Sequence, residues 1–200
     1  MIPQEARDKP LEVWFQDGAR IGQQGTLTRL WAKRGTRPRA VRDTRYQWAY
    51  LFGAVCPGRA ATAGLVLPCA NTEAMNLHLV EIAKAVAPGA HAVLVIDGAG
   101  WHGGADLTVP GNISLLKLPP CAPEPNPIEN VRQYLRGNKL AITVFDGYEH
   151  IVEACRTAWN FFASDLDAVT SITSRTWAPG HRSLNRAVGI RPAMKLKMAA

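Results

Sequence analysis

From Ala92 to Ile96 the chain is apolar without interruption, and it then reaches Asp97 in the stretch HAVLVID. A strand with one face in water alternates, so an unbroken apolar run predicts a strand covered on both faces, as in a sheet with helices on either side. The neighbouring segments supply those layers. LEVWFQD (11–17) reads as a strand with Leu11, Val13 and Phe15 alternating before Asp17. QWAYLFGAVCP (47–57) and ATAGLVLPC (61–69) read as a hairpin across the turn-forming PGR. In NTEAMNLHLVEIAKAVAPG the period changes. Met75, Leu79, Ile82 and Val86 fall at helical spacing, Asn71 is placed as the N-cap, and Pro88-Gly89 ends the helix. ISLLKLP (113–119) is a further strand, followed by helices from Asn126 and from Asp146, the latter with Asp146 and Glu149 spaced as a capping box. The expectation is an α/β domain with a mixed sheet flanked by helices over residues 1–178, and a loose basic tail over 179–200.

Charge divides the chain. Residues 20–59 hold nine Lys/Arg against Asp43 alone, a local charge of +8, and residues 181–200 add five bases without an acid. With +7 overall, the remainder carries six net negative charges. A basic strip (Arg20, Arg29, Lys33, Arg34, Arg37, Arg39, Arg42) suits a polyanion such as DNA, and an acidic centre suits metal ions. The structural alternative is a solvated charged face. No apolar stretch approaches a membrane span and MIPQEARDKP lacks the apolar core of a signal peptide, so a cytoplasmic, nucleoid-associated protein without membrane contact is expected. Cys56, Cys69, Cys121 and Cys155 form no C-x-x-C pair and read as reduced core thiols.

VLVIDGAGWH (93–102) admits two readings. Gly98, Gly100 and Gly103 spell G-x-G-x-x-G, the loop that cradles a dinucleotide pyrophosphate. That reading needs a crossover helix next, but Pro110-Gly111 intervenes and the next strand starts near Ile113. Asp97 would also repel the phosphates. The second reading makes the glycines space around a carboxylate that a strand presents to a metal. Asp17 ends its strand in the same way, and on parallel neighbouring strands the two aspartates would emerge side by side. Hard cations take oxygen ligands, and two ions about 3.5–4 Å apart need a shared carboxylate. Glu129, 32 positions after Asp97 on the first turn of the helix introduced by PPCAPEPNPIEN, is the third candidate. Helical spacing sets Arg132, Gln133 and Arg136 beside it, with Ile128, Val131 and Leu135 facing inward. Taken singly, each residue has a structural role open to it: turn former or helix cap for the aspartates, and capping-box partner of Asn126 for Glu129.

VIDGAGWH followed by LPPCAPEPNPIENVRQYLR, with VWFQDGARIG upstream, resembles the catalytic domain of DDE-superfamily transposases, in the bacterial insertion-sequence family 630 branch of the mariner superfamily. The resemblance runs from about residue 11 to 178 and is most specific in the proline-rich segment ending Asn126-Pro127-Ile128-Glu129. It implies a ribonuclease-H-like fold in which Asp17, Asp97 and Glu129 are the catalytic triad holding two Mg²⁺ or Mn²⁺ ions. It implies DNA strand cleavage and strand transfer, with transposon ends and TA-containing target DNA as partners and a homodimer in the DNA complex. His102 aligns with a histidine common after the second family aspartate, an auxiliary phosphate or carboxylate contact if not a structural residue. Trp31 and Trp48 could stack on bases or pack the core. Arg132 and Arg136 join the expected DNA contacts.

The chain departs from the family pattern at Gly18, Cys121, Pro125 and Arg132, where an acid, an aromatic, leucine and tryptophan are usual. Three residues after Glu129, Arg132 is expected to form an ion pair worth about 0.2–0.5 kcal/mol on an exposed helix, a weak competitor for a divalent metal. The first catalytic strand starts about ten residues from Met1, so recognition of terminal repeats is expected from a separate helix-turn-helix polypeptide or an upstream frame. Two alternatives stay open: a catalytically inactive remnant that binds DNA non-specifically, and a host nuclease of the same fold.

Overall fold

The computed structural model describes residues 3–23, 32–36, 39, 43–98, 106–118, 126–141, 143–174 and 197–198. At its centre β1 (Leu11–Gly22) runs parallel to β4 (His91–Ile96), with Leu11 opposite His91 and Phe15 opposite Val95. β5 (Ile113–Lys117) adds to the far side of β4, also parallel. On the other side of β1, β2 (Trp48–Cys56) and β3 (Ala61–Leu67) form the expected antiparallel hairpin, turned by Pro57–Arg59 with Ala60 in the left-handed region at φ 50°. The sheet order is β5-β4-β1-β2-β3-β6, where β6 is only Lys197–Met198, paired parallel with Leu65 and Val66 of β3. The rest of the expected tail lies outside the described residues.

β4 has sheet neighbours on both edges and layers on both faces, and all of it but Val93 is buried. α1 (Thr72–Ala85) covers one face. Asn71 caps it as expected, its side chain accepting from Ala74 N at 2.8 Å, and Met75, Leu79 and Ile82 are fully buried against Trp14, Ala63, Leu94 and Ile96. α2 (Ile128–Leu135), α3 (Tyr148–Ala163) and α4 (Leu166–Thr173) cover the other, packing on Phe15, Ala19, Leu51, Val55 and Val95. Period-two alternation along β1 therefore sends Trp14 toward α1, and Phe15, Asp17 and Ala19 toward α2. None of the described helices is long and apolar enough to cross a membrane.

Several local expectations need correction. β1 does not stop at Asp17. Once β4 ends, β2 continues to satisfy the backbone of β1 as far as Gly22 opposite Trp48. Asp146 does not cap α3: Gly147 takes the N-cap position without a side-chain cap, and the Asp146 carboxylate instead lies 3.3 Å from His150 Nδ1. α4 was not anticipated, although its signal was present in Asp165, whose side chain accepts from Ala168 N at 2.9 Å. Cys56 and Cys155 are buried thiols, with burial pushing both up to about 12, whereas Cys69 is exposed. Cys121 and Pro125 lie outside the described residues.

Candidate active site

The β1–β4 ladder ends with Phe15 opposite Val95; two residues further on, Asp17 is still within β1, whereas Asp97 lies just past the end of β4. Asp17 shares the alternation phase of Phe15, which belongs to the core on the α2 side. The two carboxylates are near enough to influence each other, with Asp17 held inside a longer strand rather than at its end. Their charges interact. Burial is the largest influence on Asp17 and raises its carboxyl above the usual range. Arg132 and the Gly18 N–H oppose that rise, while the nearby Asp97 adds to it. Gly18 N donates to Asp17 Oδ1 at 2.7 Å, which fixes the carboxylate against its own backbone.

The third carboxylate is positioned by a pin that the sequence only half revealed. Asn126 is buried. Its Nδ2 donates to Gln16 O at 3.1 Å and its Oδ1 accepts from Ile128 N at 3.2 Å, tying the start of α2 to the residue preceding Asp17. Pro127 then takes the N-cap position, and Ile128, Val131 and Leu135 bury the inner face of α2 as their spacing predicted. Close beneath, Gly53 of β2, opposite Asp17, lets the Trp159 ring approach the sheet. Glu129 consequently emerges on the first turn beside Asp17, half-exposed at 46% against 17% for Asp17.

Arg132 joins them. Its Nη1 donates to Asp17 Oδ2 at 2.7 Å and to Glu129 Oε2 at 2.8 Å, so one nitrogen bridges β1 and α2. The expected ion pair with Glu129 is present, and Asp17 extends it into a partly buried bridge to two acids rather than a single pair on an exposed helix; the guanidinium, expected among the DNA contacts, is turned into the carboxylates. Its Nε is buried without a hydrogen-bond partner among the described residues.

The all-carboxylate donor set suits a hard divalent cation, and Asp17 and Glu129 already converge on one cationic atom. Among the described residues, no three His, Cys, Asp or Glu side chains are drawn into a single metal-holding group. The shared position between Asp17 and Glu129 belongs to a guanidinium nitrogen. These residues would hold a metal once that nitrogen withdrew.

The basic residues divide. Lys33, Arg34 and Arg39 are exposed, and Arg136 is partly exposed one turn beyond Arg132. Arg20 is exposed, but the alternation of β1 sets it on the face away from Asp17, where its guanidinium lies 5.2 Å from the centre of the Trp48 ring. Trp48 is 39% exposed, which leaves its ring partly accessible. Arg29, Arg37, Arg42, Trp31 and His102 lie outside the described residues.

The family model described as DDE superfamily endonuclease matches residues 12–148. An uncharacterized protein of Sinorhizobium fredii (strain NBRC 101917 / NGR234), y4pE/y4sA, is 52% identical over 136 residues, which is 68% of this chain and 99% of that protein. Among solved structures, the Mos1 mariner paired end complex with Mn is similar at TM-score 0.60 and 17% identity, and the Mos1 strand transfer complex at 0.57 and 17%. Each similarity covers 81% of this chain, which spans about half the length of the Mos1 chains.

Proposed function

Because the chain belongs to the DDE superfamily endonucleases and has a ribonuclease-H-like fold, we propose that it is the catalytic domain of an insertion-sequence transposase that cleaves DNA strands and transfers them to a target. The observation that supports this reading is the gathering of Asp17 in β1 and Asp97 just past the end of the adjacent parallel β4, with Glu129 of α2 reaching the same guanidinium as Asp17. Asp17, Asp97 and Glu129 would hold two Mg²⁺ or Mn²⁺ ions. Bound there, the ions supply an activated water or 3′-hydroxyl and charge stabilisation for the leaving oxygen.

The chain's own residues prepare that chemistry. Asp17, which shares the Arg132 guanidinium with Glu129 and feels the charge of Asp97, is the carboxylate we expect to be shared. The Gly18 N–H orients one of its oxygens and leaves the other toward Glu129. Asn126 fixes the depth of α2, so Glu129 meets Asp17 without reorganisation of the sheet. Lys33, Arg34, Arg39 and Arg136 are the described bases available to DNA phosphates, and Arg20 with Trp48 offers a cation and a ring for an unstacked base.

The Mos1 structures are described as paired-end and strand transfer complexes. By that analogy transposon ends would be partners of this chain; a TA-containing target and a homodimer are what the family resemblance adds.

The test is a calorimetric Mn²⁺ titration of the wild type and Asp97→Asn, alongside nicking of supercoiled plasmid. Metal-dependent nicking and binding that the substitution abolishes are expected. Nicking that persists undiminished in Asp97→Asn would refute the assignment. A second reading, a DNA-binding remnant without catalysis, is favoured by the Arg132 bridge across two of the three acids. It predicts salt-sensitive DNA binding with no metal-dependent cleavage.

A further inference from the structure

The geometry points to Arg132 as an internal counter-ion of the active site, a tethered cation that holds Asp17 and Glu129 together and must withdraw before a divalent metal can enter between them. The inference rests on the reading of those carboxylates as metal ligands. One nitrogen, Nη1, serves both acids, at 2.7 Å to Asp17 Oδ2 and 2.8 Å to Glu129 Oε2. These are charge-assisted lengths, and a shared donor lies where a shared metal would be coordinated. The charge is permanent, because a guanidinium does not deprotonate in proteins. The site therefore carries a resident single charge at every working pH, and a dication can enter only by displacing it.

Burial gives the contact weight. Side-chain exposure is 27% for Arg132 and 17% for Asp17, so water screens this pair less than an ordinary surface ion pair. Among the described residues, the Arg132 Nε finds no hydrogen-bond partner while Nη1 takes two carboxylates, so the contacts seen to hold the guanidinium are those to the two acids. Its position also permits release. Arg132 is on the flank of α2, outside the buried stripe of Ile128, Val131 and Leu135, so side-chain rotation alone can carry it away while the helix stays seated.

The experiment is a Mn²⁺ titration, by calorimetry and by the paramagnetic signal of free Mn²⁺, of the wild type, Arg132→Gln and Arg132→Met without DNA. Both variants keep most of the side-chain stem, and circular dichroism identifies those that fold. At least a tenfold tighter dissociation constant is expected in a folded variant, equivalent to about 1.4 kcal/mol. Adding Asp17→Asn to that variant should abolish the gain. Equal, measurable affinity in wild type and variants overturns the counter-ion role and leaves the metal-site reading intact. Absence of binding in all of them overturns both.

Discussion

Gly53→Ala tests the packing that supports the site. Gly53 faces Asp17 across the β1–β2 ladder. A Cβ there would stand 2.6 Å from Cζ3 and 2.7 Å from Cη2 of Trp159, and 3.4 Å from Cδ1 of Ile128. Carbon atoms in contact prefer about 3.5–4.0 Å, so the indole must retreat by roughly 1 Å. It has little room to do so. Trp159 is 1% exposed, with Phe162 edge-on at 5.8 Å. Overpacking of this kind costs about 1–3 kcal/mol, and in a domain of this size each kcal/mol lowers Tm by roughly 2–4 °C. Urea unfolding followed by tryptophan fluorescence, with Tm from circular dichroism, measures the loss. The decisive comparison is Gly53→Ala in a Trp159→Phe background. Phenylalanine lacks the two clashing ring atoms, and the change also removes an indole N–H that has no partner among the described residues. The alanine should then cost less than about 0.5 kcal/mol, so the cycle shows strong coupling. An equal cost in both backgrounds would refute the claim that Gly53 is there to admit Trp159.

Three further outcomes are expected. Glu12, 7% exposed, accepts from Arg59 Nη1 at 2.9 Å, Trp14 Nε1 at 2.9 Å and Ala87 N at 3.2 Å. Arg59→Met should cost about 2–3 kcal/mol, less than a fully buried pair because the other two donors remain, and Glu12→Gln should recover part of it in chemical denaturation. Burial, with a smaller contribution from Lys9, holds the His91 imidazole below its usual range. The unfolded chain therefore takes up a proton at a higher pH than the folded one, and stability should fall as pH drops below about 6.5 toward the lower folded value. His91→Gln should flatten that segment of the stability–pH curve, and parallel curves would contradict the assignment. Replacing Lys33, Arg34 and Arg39 by alanine should reduce the slope of log K against log salt by up to about 2.7 for duplex DNA, read by fluorescence anisotropy.

The sequence determined what depends on near neighbours along the chain. An unbroken apolar run fixed β4 as an interior strand, alternation fixed the phase of Phe15 and Asp17, and the spacing of Ile128, Val131 and Leu135 fixed the inner face of α2. Asp17 and Asp97 each follow an apolar segment, but their pairing depended on those strands being parallel neighbours, which the sheet order supplies. Caps were legible where no competing partner existed, as at Asn71, and misread at Asp146, where the His150 ring stands against the side chain. Tertiary structure alone decided the rest. The contact from Arg132 to Asp17 spans 115 positions and exists because Asn126 is pinned to the carbonyl of Gln16 and Gly53 leaves room for Trp159. From local spacing Arg132 could only be paired with Glu129. A charged side chain on a flexible stem takes whatever opposite charge the fold brings within reach, and that depends on the depth and rotation of a helix against a sheet, which no short stretch of sequence encodes.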